Sequence, residues 1–373
     1  GAGIMVGPII GPTLGGWLTE SFNWRYVFFI NLPVGIIAFL GSAAYLPRIA
    51  RRLRGFDFFG FAMLSLGVGA LQLMLDRGAE VDWFSSPEIW IELGLSLTGF
   101  WVFIVHLASA RNPFIDPHIF KDRNFVTGLV FIFVIGVILL ASMALLPPML
   151  SGLFNHSTML TGLVMAPRGI GTMISMILVG RLVQIVDPRY LVVTGLLLTA
   201  WSLYIMTGFT PQMDDYDIIL SGVIQGLGLG LVFVPLSTSA FATLAPNFRT
   251  DAASLFSLVR NLGSSIGISI VTVILTRNIA VNHSELSPAI NPFNPNLWAV
   301  SPGAAQGDPT SLAMMDGLVT AQAAMISYID DFKLMMIVTL AAIPLALLLR
   351  RPAAAGPGGK ERMSNPTPLA LIA

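Results

Sequence analysis

The chain has 373 residues, no cysteine, equal numbers of basic and acidic residues at 20 each, 55% apolar content and only 11% charged content. A mean hydropathy of +0.79 is far too high for a surface that meets water, so a soluble domain is excluded and lipid must face most side chains. Zero net charge gives no reason to expect nucleic acid or an acidic partner, and the missing cysteines exclude a disulfide scaffold, a thiol nucleophile and a Cys-ligated metal.

Ten apolar runs are long enough to cross a bilayer as helices, at approximately 3–19, 26–46, 57–75, 88–108, 125–147, 158–180, 190–209, 217–240, 253–276 and 333–350. The bilayer core offers no water to free backbone groups, so the expectation is an all-α membrane protein, a polytopic helical bundle. Alternate connections hold Arg48, Arg51, Arg52, Arg54, Arg111, Lys121, Arg123, Arg181, Arg189 and Arg249, and the tail adds Arg350, Arg351, Lys360 and Arg362. Only Arg25, Arg77, Arg277 and Lys333 fall on the other side. The positive-inside rule therefore places the arginine-rich turns and the C-terminus in the cytoplasm, with the first run leading outward. Trp17, Trp24, Trp83, Trp90 and Trp298 lie near the expected outer boundaries and read as interfacial anchors.

The first run, GAGIMVGPIIGPTLGGWLTE, spaces Gly3, Gly7, Gly11 and Gly15 four apart, on one helix face, with Pro8 and Pro12 between them. Small residues at that spacing let a neighbouring backbone approach, and the prolines should bend the helix unless a neighbour supports it. Three ionisable residues stand out further along. Glu92 lies near the outer end of its run and reads either as an interfacial carboxylate or as a proton carrier. Arg168 and Arg260 lie about ten and seven residues into theirs. A charge at such depth costs about 2.5–3.5 kcal/mol, so each arginine is a candidate for an anion, a water-filled cavity or a structural partner. No Asp or Glu is expected deep in any of the ten runs.

Gly222, Gly226 and Gly230, with Pro235 beyond them, and then Gly263 and Gly267, repeat the close-packing spacing. Phe131, Phe133, Met143, Met173, Met176 and Phe233 are candidates for an apolar, adaptable lining, or equally for lipid contact. His106 reads as a boundary residue, and the four histidines show no metal-ligand spacing. The connection 278–332 is expected to be a long outer loop that turns helical. Its stripe of Leu312, Met315, Val319, Ile326 and Ile329 would lie along the membrane surface, on the protein's own loops or against a periplasmic adaptor. No phosphate loop, HExxH pair or GxSxG elbow occurs, so neither ATP drive nor an enzyme is supported.

The run Gly7-xxx-Gly11-Pro12-xx-Gly15-Gly16 resembles the antiporter motif of the major facilitator superfamily, on that family's fifth span. WRYVFFINLPVGI after it, then GFDFFG, LDRGAEVDWFSS, RNPFIDPHIFKDRNF, PRGIG, SLVRNLGSSIG and NPFNPN, extend the resemblance along nearly the whole chain. The series is closest to the fourteen-span drug–proton antiporter branch, and within it to the inner-membrane permeases of tripartite multidrug pumps. The resemblance implies about ten of fourteen expected spans, in an N-terminally truncated chain. Residues 1–50 would be the remnant of the N-terminal bundle, 51–118 two linker spans, 119–352 the C-terminal six-helix bundle and 353–373 a cytoplasmic tail.

It also implies a secondary transporter of the inner (plasma) membrane that exports amphipathic or cationic drugs in exchange for protons. The proton gradient would serve in place of a cofactor, the acidic proton carrier would lie on spans upstream of this chain, and an adaptor and outer-membrane channel would be partners. Alternative expectations are a scaffold or assembly subunit, or an inactive fragment without its proton-coupling spans.

Overall fold

The computed structural model of the protein describes residues 6–45, 56–78, 80–110, 113–245, 248–291 and 293–346. Gly3, the Arg48–Arg54 turn, Arg111, Pro292 and the basic tail with Arg350, Arg351, Lys360 and Arg362 lie outside the described residues. Within them the chain is helical, with no strand. In order come α1 (Val6–Ser21), α2 (Tyr26–Phe29), α3 (Asn31–Tyr45), α4 (Phe58–Arg77), α5 (Pro87–Ser109), α6 (Arg123–Gly152) and α7 (Thr158–Leu182). Then follow α8 (Pro188–Met206), α9 (Asp215–Ala242), α10 (Arg249–Leu286), the short α11 (Pro295–Val300) and α12 (Pro302–Ala305), and α13 (Pro309–Ala346).

Local chemistry sets the helix starts. Asp57, Ser86, Asp122, Ser157 and Asp187 each stand just before a helix and accept hydrogen bonds from its first free amides. The Asp122 carboxylate takes two, from the amides of Asn124 and Phe125 at 2.9 and 3.0 Å. Pro87 and Pro188 occupy first-turn positions where no amide is needed.

Among the described residues, eight helical stretches are long and apolar enough to cross a membrane. The other two expected runs correspond to α1, 16 residues long within the described chain, and to the second half of α13. Because successive helices alternate in direction, the bundle has one end where the arginine-rich connections gather, here the basic end, and an opposite far end. α7 and α8 both pack along α9, α6 pairs with α10, and α13 lies between α8 and α10. Two apolar cores follow: one toward the basic end around Phe125, Ile132 and Leu236, the other toward the far end around Met149, Leu203, Met206 and Phe332.

α4 and α5 form a hairpin crossing at Gly67 and Gly99, where a β-carbon on Gly99 would stand 2.7 Å from the Gly67 nitrogen. The hairpin touches the bundle through α10, whose Ser269 hydroxyl donates to the Leu75 carbonyl at 3.0 Å. α3 buries no residue at all.

The far-end connection differs from the expected loop 278–332. α10 continues to Leu286 and α13 starts at Pro309, each 38 residues long, so both project past the bundle as one helical pair. The stripe from Leu312 to Ile329 thus lies on the continuation of the last span and not on a separate surface helix, and only the short α11 and α12 stand apart. At about 1.5 Å per residue, 38 residues span about 57 Å, nearly twice a bilayer core. The inward stripe is correspondingly shifted. Met325, Tyr328, Phe332 and Met335 are buried, whereas Leu312 and Ile326 are exposed. Asp331 falls on the buried side with no exposed surface, just before the run 333–350, so this enclosed acid lies outside the ten runs expected to hold none.

Candidate functional site

Where α1, α6, α7, α9 and α10 converge, their small residues leave an open cavity of about 510 Å³. Gly11 and Pro12 of α1, Gly136 of α6 and Gly169 of α7 line it, together with apolar side chains such as Leu140, Met143, Met165, Met176 and Phe233. Of the six residues proposed above as an adaptable lining, Met143, Met176 and Phe233 reach the cavity. Phe131 is instead buried in the basic-end core, and the Phe133 carbonyl packs against Gly263 of α10.

Both intramembrane arginines are on the cavity wall. Arg168 is 5% exposed, and its Nη2 donates to the Ser142 hydroxyl of α6 at 3.4 Å. The same hydroxyl receives the Gln225 Nε2 of α9 at 3.1 Å, so three helices meet at a polar knot in an apolar wall. The Gln225 Oε1 is buried without a hydrogen-bond partner. The knot is placed by backbone contact: the Arg168 carbonyl lies where a β-carbon on Gly226 would stand, and it also accepts from the Thr172 hydroxyl at 3.0 Å. Gly230 fits against the Ser175 side chain and the Thr172 carbonyl, so Gly226 and Gly230 make the close seam while Gly222 has only an ordinary contact with Arg168. Arg260 enters from α10. Its guanidinium lies 6.0 Å from the centre of the Phe233 ring and its Nη2 donates to Ser257 Oγ at 3.4 Å.

No Asp or Glu is among the described residues that line the cavity. Glu92 lies away from it, on the α5 stripe formed by Ile89, Glu92, Ser96, Gly99 and Phe103, 8% exposed and with its Oε2 unpartnered. Sequence reading missed Ser142 and Gln225. A serine in an apolar run carries no signal, but a glutamine at mid-span does, because an amide in lipid needs a partner from another helix.

The glycine motif divides its work. Gly16 is the tight position, with the Thr158 carbonyl 2.6 Å from where its β-carbon would stand. On α7, Gly162 meets the Pro12 carbonyl, and the Thr13 hydroxyl lies 3.4 Å from the Gly162 carbonyl. Gly11 and Gly15 have open space beside them, and Gly7 falls in the first turn of α1. At the far end of this seam the Glu20 Oε2 accepts from the Met159 amide at 3.0 Å.

A second polar cluster ties the hairpin together at the basic end. Asp57, just before α4, accepts from the Gly60 amide at 2.8 Å and the Phe114 amide at 3.0 Å, and its carboxylate lies 3.0 Å from His106 Nε2. Burial alone would raise this carboxyl, but the Gly60 amide, His106 and the Phe114 amide outweigh it and hold it below the ordinary aspartate value. His106 is therefore a partner at the helix boundary.

Comparison with known proteins agrees with this architecture. The Major Facilitator Superfamily profile matches residues 1–268. Multidrug export protein EmrB of Escherichia coli K12 is 33% identical over 365 residues, covering 95% of this chain and 71% of that protein. Fatty acid resistance protein FarB of Neisseria gonorrhoeae is 32% identical over 362 residues with the same coverage of each chain. The EmrB of Haemophilus influenzae is 34% identical over 295 residues, 78% of this chain and 58% of that one. A helical, multi-pass membrane protein with a cavity between its helices and relatives of this kind is a transporter rather than an enzyme, and the chain belongs to the Major Facilitator Superfamily.

Proposed function

We propose that the protein exports amphipathic small molecules across the inner membrane in exchange for protons, with its basic end in the cytoplasm. The cavity favours substrates that carry a negative charge. The observation that carries this reading is the cavity wall: Arg168 and Arg260 in an apolar, methionine- and phenylalanine-rich surface, with no acid among its described residues. An aromatic or aliphatic body fits the apolar wall, and a carboxylate, phenolate or sulfonate satisfies a guanidinium in low dielectric, where a charge-assisted hydrogen bond is strong. An amphipathic cation meets two like charges there. The names of the relatives, a multidrug exporter and a fatty acid resistance protein, support the substrate class. An adaptor and an outer-membrane channel belong to the same reading through the resemblance to tripartite permeases.

The test is export of a matched pair of fluorescent amphipaths, one anionic and one cationic, from an efflux-deficient host expressing the full-length protein, with and without a protonophore. The anion is exported faster and the protonophore abolishes its export. Export that ignores the protonophore would refute proton exchange, and a preference for the cation would refute the charge selection.

A further inference from the structure

Asp331 is the most enclosed carboxylate among the described residues. It is on α13, two residues before the apolar stretch 333–350, with 0% of its surface exposed. Neither carboxylate oxygen has a hydrogen-bond partner. Its surroundings are well packed: Tyr328 and Phe332 beside it on α13 belong to the far-end core with Met206, Phe209 and Leu275. One turn further toward the far end, Ser327 Oγ receives a hydrogen bond from Asn282 Nδ2 of α10 at 3.0 Å. Asp331 is four residues from Ser327 and hence on the same face of α13, and Asn278 is four residues from Asn282 on the facing helix. The α10–α13 seam thus places polar side chains on the facing helix but gives the carboxyl no hydrogen bond.

The neighbouring charges offer no compensation. On α13, Asp330 is exposed and like-charged, and Lys333 is exposed. On α10, Arg277 is exposed and His283 is bound to Asp316 at 3.0 Å. α8 and α6, which also pack against α13, have no charged residue beyond Arg189 and Arg123 near their basic ends. Burying an ionised carboxylate without a partner costs far more than burying the neutral acid, so the packed seam accepts the acid form.

We propose that Asp331 is a proton-binding site of the bundle, protonated while α10 and α13 are packed together and ionised when that seam opens to water at the far end. On opening, the carboxyl O–H bond breaks, the proton passes to water as hydronium, and the carboxylate is stabilised by hydration. On closing, the steps reverse and one proton is carried into the bundle. This deepens the exchange reading above and rests on it for its role in transport. It also differs from the expectation that the carrier lies on spans upstream.

The site is tested spectroscopically, apart from transport. The full-length protein is labelled with ¹³C-aspartate, placed in lipid nanodiscs, and its carboxylic-acid carbonyl stretch is followed by infrared difference spectroscopy. An ordinary aspartate, with a pKa of about 3.9, is ionised at neutral pH. The wild type should keep a labelled acid band at neutral pH that Asp331→Asn removes and Asp330→Asn retains. Glu92, the other enclosed carboxyl, carries no aspartate label and so does not contribute to this band. If Asp331→Asn does not fold, Asp331→Glu keeps a carboxyl but moves it out of the labelled set, and the labelled band should shrink in the same way. Superimposable labelled spectra of wild type and a folded Asp331 variant would overturn the proposal. In transport, Asp331→Asn should still bind the anionic amphipath but lose the dependence of its export on outside pH, and an unchanged dependence would overturn the coupling role. Export that ignores a protonophore, with the acid band intact, would instead count against the exchange reading alone.

Discussion

The backbone carbonyl of Pro12 on α1 occupies the place where a β-carbon on Gly162 of α7 would have to stand. A proline carbonyl on a packed helix has little freedom to retreat, so the contact admits glycine alone. Gly162→Val should push the two helices apart at a cost of about 1–3 kcal/mol, the usual penalty of overpacking. Gly16→Val should do the same against Thr158. Gly15→Ala, with nothing within 4 Å, should be neutral. Thermal unfolding of the three variants in one detergent checks the ranking, and equal midpoints would mean that the seam contributes nothing.

That seam shows what the sequence makes legible and what it leaves hidden. The GxxxG spacing identifies a helix that packs closely, yet spacing alone cannot say which glycine meets a backbone. Gly11 and Gly16 look alike on paper, and only the rotation of α1 against α7 separates them. The spans were readable because hydropathy is a sum over twenty residues and tolerates local error. The α13 extension was not, because Asp330, Asp331 and Lys333 interrupt the apolar run and make one helix read as a loop followed by a span. Arg168 and Arg260 stood out as costly charges in apolar runs, whereas Ser142 becomes a site residue only when α6, α7 and α9 are brought together.

Arg168→Gln should weaken the anionic amphipath selectively. A hydrogen bond to a charged group is worth about 1.5–3 kcal/mol, so the apparent affinity for the anion should fall roughly ten- to hundredfold. The cationic counterpart should bind as well or better. Concentration dependence of export for the two dyes reads this directly, and an equal loss for both would make Arg168 a structural residue. Ser142→Ala should show the same selectivity more weakly, because it removes one partner and leaves the guanidinium.

The Asp57 cluster gives a pH dependence whose sign is fixed by the depressed carboxyl. Stability from such a group is present above the unfolded value of about 3.9 and is lost as pH falls through the lower folded value. Asn caps a helix as well as Asp, so Asp57→Asn removes only the charge on the contacts to the Gly60 and Phe114 amides and His106, and should lower the unfolding midpoint at neutral pH. The gap between variant and wild type should close in acid. Unfolding curves from neutral pH down to about pH 3 provide the comparison. A gap that stays constant, or widens in acid, would show that the Gly60 and Phe114 amides do not depend on the charge.

Glu20 supplies the last contact of the α1–α7 seam, and its position at the far end gives it a conformational consequence. Its carboxylate holds the Met159 amide while Ser157 holds that of Leu160, so two of the free donors at the start of α7 are satisfied, one of them by another helix. The side chain is exposed, so the interaction is worth at most about 1 kcal/mol, screened by salt. That is still about a fivefold bias between states in which the far end of the seam is closed or open. The 373 residues contain no cysteine, which makes the bias measurable. With Met165→Cys in the cavity as the only thiol, any cysteine outside these 373 residues being replaced by serine, an impermeant maleimide added from the far side should react about fivefold faster once Glu20→Ala is introduced. Glu20→Gln keeps an acceptor without the charge and should fall between the two. If all three label at one rate, the carboxylate caps α7 without biasing which way the cavity opens.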